Sequence, residues 1–333
     1  MFEQFYGLSA PPFQLTPDQR FFYQSRGHGR AISHLIFGLS QGEGFIVITG
    51  EVGAGKTTLV ERLWAQLDRE TYIMARVSTT QVSGDDLFRL AMAGFGVTAE
   101  STDKATLIAH FEEILRVRRG EGRRLLLVVD EAQNLSLPAL EELRMLSNLS
   151  EEGQAGLQTI LLGQPQFRAR IASPDLEQLR SRVLASYHLG PLAEEETRAY
   201  IEHRLKAVDW KGDPSFTDAA FAAIHRESGG VPRRINRLAS RVMLYGALEE
   251  VHKITGPMVD STAEELQRDL EGGAPSHAAP VPSLAPAPGS IPAVVSGLAE
   301  LTNRVAALEE SSARRERLFQ RLMDVFGGVS ARG

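Results

Sequence analysis

The feature that most constrains this chain is a short run, Gly50-Glu51-Val52-Gly53-Ala54-Gly55-Lys56-Thr57. Its glycines admit backbone conformations that a Cβ would oppose, so successive amides can turn toward one point. Apolar Phe45–Thr49 before it has the length of a buried strand, and Thr57–Leu67 after it has helical periodicity. A strand, an amide-lined turn and a helix N-terminus together form a cradle for phosphate, because N–H groups and the positive end of the helix dipole both favour an anion there. The run fits the pattern G-x-x-x-x-G-K-[ST], in which the lysine supplies charge to β- and γ-phosphates and the hydroxyl can ligate Mg²⁺. The candidate nucleotide-binding residues are therefore Gly50, Glu51, Val52, Gly53, Ala54, Gly55, Lys56, Thr57 and Thr58. The competing reading is a flexible glycine turn with a solvated lysine.

Around this run strands and helices alternate. Tyr72–Val77, Arg124–Asp130, Leu157–Leu162 and Leu184–Leu189 read as strands. Helical patterns fall at 31–40, 84–95, 103–119 and 138–149. Such alternation predicts a parallel sheet with helices on both faces, and the uninterrupted apolar runs fit strands buried on both sides. After Gly190-Pro191 the strand signals stop, and 193–207, 217–228, 232–248 and 257–271 all read as helices. The expectation is an α/β domain over 31–190 and an all-helical domain over 191–271, preceded by an aromatic-rich lead-in over 1–30 that packs on a core. Length agrees, since 333 residues at about 150 per domain suggest two.

The tail differs. Six prolines with Ala, Ser and Gly fill 272–297, a composition suited to a semi-extended linker. Leu298, Leu301, Val305 and Leu308, then Phe319, Leu322 and Phe326, recur at heptad-like spacing across 298–326. This predicts an amphipathic helix, either alone or in a coiled coil. With Arg314, Arg315, Arg317 and Arg321 it also suits contact with an anionic membrane surface.

Two carboxylates end the most apolar strand, in Leu125-Leu126-Leu127-Val128-Val129-Asp130-Glu131. In parallel α/β sheets, ligands sit beyond the carboxyl ends of the strands. Asp130 is then a metal candidate alongside Thr57, and Glu131 a candidate base that orients and deprotonates a water. Taken alone, the pair is equally an exposed acidic strand end. Gln164, just past Leu161-Leu162-Gly163, would lie between these acids and a γ-phosphate, or else be a turn residue before Pro165. Arg180-Ser181-Arg182 precedes the last strand; Arg182 is the candidate finger reaching a neighbouring subunit's phosphate, against a solvated helix face. In Gly230-Val231-Pro232-Arg233-Arg234, Pro232 suits a helix start, so Arg233 and Arg234 meet the wrong end of a dipole. A bound anion would relieve that, and so would local acids. Arg26-Gly27-His28-Gly29-Arg30 precedes the first helix and either lines the pocket or is a polar turn.

Composition excludes several classes. There is no cysteine, hence no disulfide, thiolate or sulfur-ligated metal chemistry. No histidine cluster has metal-ligand spacing. A net charge of −6 argues against a dedicated nucleic-acid binder, although Arg233, Arg234, Arg237 and Arg241 offer a local basic stripe. No basic segment followed by an apolar core opens the chain, and no apolar run approaches the ~20 residues of a membrane span, so a soluble cytoplasmic protein is expected, with peripheral contact at the inner membrane face through 298–326 as a variant.

The phosphate run, Val129-Asp130-Glu131-Ala132-Gln133-Asn134-Leu135, Gly163-Gln164-Pro165, Arg180-Ser181-Arg182 and Gly230-Val231-Pro232-Arg233-Arg234-Ile235-Asn236 carry a resemblance. So do Phe5-Tyr6-Gly7-Leu8 and Tyr187-His188-Leu189-Gly190-Pro191-Leu192. Together they resemble AAA+ ATPases of the general secretion pathway protein A type, and among those the secretion ATPases of exosortase/PEP-CTERM loci. The resemblance covers residues 1 to about 270. It implies a P-loop AAA+ module of five parallel strands plus a small all-helical lid, with ATP and Mg²⁺ as ligands and a homo-oligomeric ring or filament. It maps Walker A onto Gly50–Thr57, Walker B onto Asp130 and Glu131, sensor 1 onto Gln164, sensor 2 onto Arg233 and a trans finger onto Arg182. It further implies ATP hydrolysis in the service of an unidentified partner in secretion, exopolysaccharide or envelope assembly. The alternatives are a nucleic-acid-handling ATPase of the transposition or replication type, and an ATP-dependent scaffold that recruits through its terminal helix.

Overall fold

In a computed structural model, described for residues 2–16, 18–78, 84–97, 103–151 and 154–270, the apolar runs assemble into one five-stranded parallel sheet. Its strands are β1 (Phe45–Gly50), β2 (Tyr72–Ser78), β3 (Arg124–Asp130), β6 (Leu157–Gly163) and β7 (Val183–Leu189), in the order β2-β3-β6-β1-β7, while the two-residue strands β4 (Ser150–Glu151) and β5 (Gln154–Ala155) form a separate antiparallel pair. The continuous apolar runs still obey the two-residue strand period. Phe45, Val47, Leu125, Leu127, Val129 and Leu161 share one core with α4 (Gly84–Gly94), α5 (Lys104–Gly120) and α6 (Leu137–Leu146). Ile46, Ile48, Leu126, Val128, Ile160 and Leu162 share the other with α2 (Arg26–Gln41) and α3 (Lys56–Gln66). Burial on both faces is why these strands carry no polar alternation. Of the polar residues buried in β6, Gln158 is satisfied, donating to Gly38 O at 2.7 Å and Glu43 O at 2.9 Å, whereas Thr159 Oγ1 finds no hydrogen-bond partner.

Strand order decides what meets at the carboxyl edge. β6 lies between β3 and β1, with Thr49 opposite Gly163 and Val129 opposite Leu161. The turns after β1, β3 and β6 are therefore neighbours, although about 80 and 30 residues separate them along the chain.

Beyond β7 come α9 (Glu194–Lys206), α10 (Asp218–Ser228), α11 (Pro232–Leu248) and α12 (Gly256–Leu270). This is the α/β P-loop fold with a helical lid that the sequence leads one to expect. The compact unit formed by residues 1–266 holds both the sheet and the lid helices through α11. The lead-in, which opens with the short helix α1 (Phe2–Phe5), enters the lid's core: Tyr6, Leu8, Phe13 and Phe21 are buried beside Ile201, Leu205, Ile235 and Val242.

Two expectations need correction. The helical region is not purely helical: β8 (Ser215–Phe216) pairs in parallel with β9 (Lys253–Ile254). Two-residue strands are too short to leave a periodic signal. The first helix begins at Arg26 rather than 31, so Arg26–Arg30 is its first turn and not a preceding loop. Gly27 and Gly29 depress helix propensity there, but Ser25 caps the turn, its hydroxyl accepting from His28 N–H at 3.1 Å. The structure adds α7 (Pro165–Ile171) and α8 (Glu177–Arg180) between β6 and β7. The linker over 272–297 and the helix over 298–326 lie outside the described residues.

Gly230, at the entry to α11, has φ +70°, and a Cβ there would lie 2.2 Å from Leu192 O. Gly230→Ala should lower the free energy of unfolding by at least about 1 kcal/mol in urea titration; a change within error would contradict this packing.

Candidate functional site

The turn after β1 closes as its glycines require. Gly53 and Gly55 have φ +85° and +98°, and each is also hemmed in. A Cβ on Gly53 would lie 2.3 Å from the Arg233 Cβ, and one on Gly55 would lie 2.8 Å from His28 Nε2. Lys56 opens α3 and is buried, its ammonium donating back to Gly50 O at 2.8 Å and Glu51 O at 3.1 Å. Burial pulls its pKa below the ordinary lysine value, opposed by the charges of Glu131, Asp130 and Glu51. Gly50 and Glu51 thus serve Lys56 with carbonyls, whereas Val52 to Thr58 line an open cleft of 380 Å³.

The ends of β3 and β6 complete the phosphate side. The Thr57 hydroxyl donates to Asp130 Oδ2 at 2.9 Å, and Asp130 Oδ1 accepts the Glu131 N–H at 3.0 Å. Glu131 itself is left-handed, with φ 54°, a conformation costly for a residue with a Cβ. That turn leads its carboxylate off the path of the strand and onto two amides. Gln164 Nε2 donates to Glu131 Oε2 at 3.1 Å, and the Gln133 side-chain amide donates to the same oxygen. Gln133 Oε1 in turn accepts the Gln164 N–H at 3.0 Å. Sequence reasoning gave Gln133 no role of its own; its place two residues after Glu131, on a one-turn helix, was the available signal.

The lid reaches the same turn. Arg233 N–H donates to Gly53 O at 3.2 Å, which sets the N-terminus of α11 against the phosphate cradle. Arg233 lines the cleft; Arg234 is exposed and does not. Arg182 lies elsewhere. It precedes β7, its carbonyl accepts the Phe45 N–H at 2.9 Å at the amino edge of the sheet, and its guanidinium faces Ser147 O at 3.4 Å. It does not line this chain's own cleft.

Most of the remaining wall comes from residues to which the sequence assigns no role; His28, of the Arg26–Arg30 run read as pocket lining or polar turn, is the exception. Arg204 of α9 is buried, donating to Pro12 O at 2.6 Å, Gln14 O at 3.0 Å and Tyr200 Oη at 2.9 Å, with Phe21 4.6 Å from its guanidinium carbon. It ties the lead-in to the lid across nearly 200 residues of chain. Glu196 adds a second tie, accepting from Arg26 N–H at 2.8 Å. His28 also lines the cleft. Its Nδ1 lies 2.7 Å from Ser25 Oγ, and burial holds its pKa below the ordinary value, which favours a neutral ring. An aromatic and apolar slot beside an amide cradle suits a flat base joined to phosphate.

Thr57 and Asp130 supply hard oxygens adjoining the cradle, the donor type Mg²⁺ prefers. Among the described residues, no group of three or more His, Asp or Glu forms a cage able to hold a metal on its own. Nor is any helix long and apolar enough to cross a membrane.

A family model described as "AAA domain" matches residues 39–171. The chain is 37% identical over 267 residues to general secretion pathway protein A of Aeromonas hydrophila, covering 80% of this chain and 48% of that protein. It is 32% identical over 95 residues to nucleoside-triphosphatase THEP1 of Thermococcus kodakarensis, covering 28% of this chain and 51% of that one. The chain thus spans about half the length of the curated relatives it matches. Among solved structures, Cdc6p of Pyrobaculum aerophilum superposes with TM-score 0.62 at 16% identity, over 76% of this chain and 70% of that one. The Aeropyrum pernix ORC2 protein, in its ADPNP–ADP complexes, superposes with TM-score 0.59 at 16% identity, over 77% and 72%. At that identity the likeness shows the shared fold.

Gly53→Ala meets both an adverse φ and the Arg233 side chain. It should weaken binding of a fluorescent adenine nucleotide by about tenfold or more while the fold persists by circular dichroism; unchanged affinity would contradict the packing of α11 on the cradle.

Proposed function

We propose, from the premise that this chain is an AAA-domain protein related to general secretion pathway protein A, that it binds ATP with Mg²⁺ and hydrolyses the γ-phosphate. The observation that carries this reading is the convergence of Lys56, the Thr57–Asp130 pair and the amide-held Glu131 at one end of the cleft. In it, the amides of 53–58 and Lys56 hold the phosphates, and Thr57 and Asp130 hold the metal. The metal, when bound, neutralises charge on phosphate oxygens. Glu131 orients a water and accepts its proton as the oxygen attacks phosphorus and the bond to the bridging oxygen breaks. Gln133 and Gln164 fix the carboxylate oxygen they share, and Gln164 is the proposed sensor that responds to the γ-phosphate. Arg233, whose backbone abuts Gly53 of the cradle, adds charge from the lid. Arg182 does not line this pocket, so in this reading it acts on the phosphate of a neighbouring copy in a ring or filament.

The biological role is proposed on the relationship in sequence: an oligomeric motor or switch serving a bacterial secretion or envelope-export system. Placement in an exosortase-linked or exopolysaccharide system rests on the sequence resemblance alone. The basic face of α11 (Arg234, Arg237 and Arg241, all exposed) keeps a nucleic-acid-handling role as the second reading. Salt-sensitive DNA binding in a mobility-shift titration would support that reading, and no binding at low salt would dispose of it.

The decisive variant is Glu131→Gln. ATP turnover by the purified full-length protein should fall about 100-fold or more with nucleotide affinity kept within about twofold. Turnover equal to wild type would overturn the assignment. Gln133→Leu should lower turnover by about tenfold, again at near-constant affinity, because it frees the base without removing it. If Gln133→Leu instead hydrolyses at the wild-type rate, the amide pair does not position Glu131.

A further inference from the structure

Asp130 is a shared carboxylate. Besides the Thr57 hydroxyl, its Oδ2 accepts Arg76 Nη2 at 2.8 Å. Arg76 stands on β2, an edge strand, directly opposite Val128 in register. Val128 belongs to the face covered by α2 and α3, and from α3 comes a second acid: Glu61 Oε1 lies 3.4 Å from Arg76 Nη1. One guanidinium therefore spans two carboxylates, Asp130 nearly buried and Glu61 partly exposed. Arg76 does not line the cleft, so its reach is to Asp130 and not to the space a nucleotide would fill.

The charge at this position is unusual for its task. A carboxylate that is to serve a divalent cation gains from isolation from other cations, and here an arginine takes up part of its charge. Arg76 is itself more than a third exposed, so its guanidinium can leave Asp130 without being stranded away from water. A second carboxylate within reach gives the guanidinium somewhere to go.

We propose that Arg76 sets the divalent-ion affinity of the nucleotide site by competing with the ion for Asp130, with Glu61 as the carboxylate that retains the guanidinium when Asp130 turns to the ion. This rests on the reading of Asp130 as the metal partner. Arg76 is a positioning residue in this scheme; it acts through Asp130 and touches no phosphate.

The test uses full-length protein with one equivalent of a slowly hydrolysed ATP analogue. Mn²⁺ is the probe, its free concentration read by electron paramagnetic resonance. Arg76→Gln should lower the half-saturating Mn²⁺ by about three- to tenfold, the scale of a partly exposed charge pair. Glu61→Gln should move it the other way, by about twofold, and since it keeps the size of a partly exposed helical side chain the fold should tolerate it. Affinity for the analogue in EDTA should stay within about twofold for both. A midpoint unmoved or raised in Arg76→Gln overturns the proposal. So does a large loss of analogue affinity in EDTA, which would make Arg76 a phosphate contact. Wild-type protein that adds no Mn²⁺ uptake to that of the analogue would remove the metal reading itself and this proposal with it. Normal wild-type uptake with unmoved variants would remove only the role of Arg76.

Discussion

The structure depends on one short link, the hydrogen bond between the Thr57 hydroxyl and Asp130. It joins the first turn of α3 to the end of β3, and so fixes the phosphate cradle relative to the acids that adjoin it. The cradle is held from two further sides. Lys56 curls back onto the carbonyls of Gly50 and Glu51, and Arg233 N–H reaches Gly53 O from the lid. A ligand that drew Lys56 or Gly53 toward itself would therefore act on the lid through a backbone contact. The glycines are what allow it, because a side chain at 53 would occupy the place of Arg233.

The lid and the lead-in form one body around a third core, separate from the two on the faces of the sheet. Arg204 is its pin, with three hydrogen bonds to Pro12, Gln14 and Tyr200 and an aromatic ring on its face. A buried guanidinium is tolerable only when its donors are met, and here backbone carbonyls of the lead-in meet them. The rest of the cleft wall is thus built from the lead-in (Gln14, Phe21, Phe22) and the lid (Tyr200, Arg204, Asn236) together. Nucleotide at this wall would touch both, which gives a physical route from ligand to lid without any long-range pathway.

Much of the fold was legible because buried parallel strands leave dense apolar runs. Phe45–Gly50 and Leu157–Gly163 were recognisable within a residue. The helix start at Arg26 was not, since Gly27 and Gly29 speak against a helix and only the Ser25 cap speaks for it. The β8–β9 pair was invisible because two residues carry no period. In the site, Lys56, Thr57, Asp130 and Glu131 were readable from local spacing, which a turn converts directly into geometry. Gln133 was within the same motif, but its task appears only once β6 lies beside β3 and brings Gln164 to it. Arg76 and Arg204 were hidden for another reason: each acts on a partner 54 to 192 residues away, and no local pattern encodes that distance.

The account stands on the cradle gripping a nucleoside triphosphate. Isothermal calorimetry with Mg²⁺ and a slowly hydrolysed ATP analogue tests it most directly, in wild type and in Lys56→Ala. The prediction is one saturable site per chain in wild type and a loss of about 100-fold or more in the variant, the scale of a charge-assisted contact to phosphate. No heat in wild type, or equal affinity in the two proteins, would contradict it.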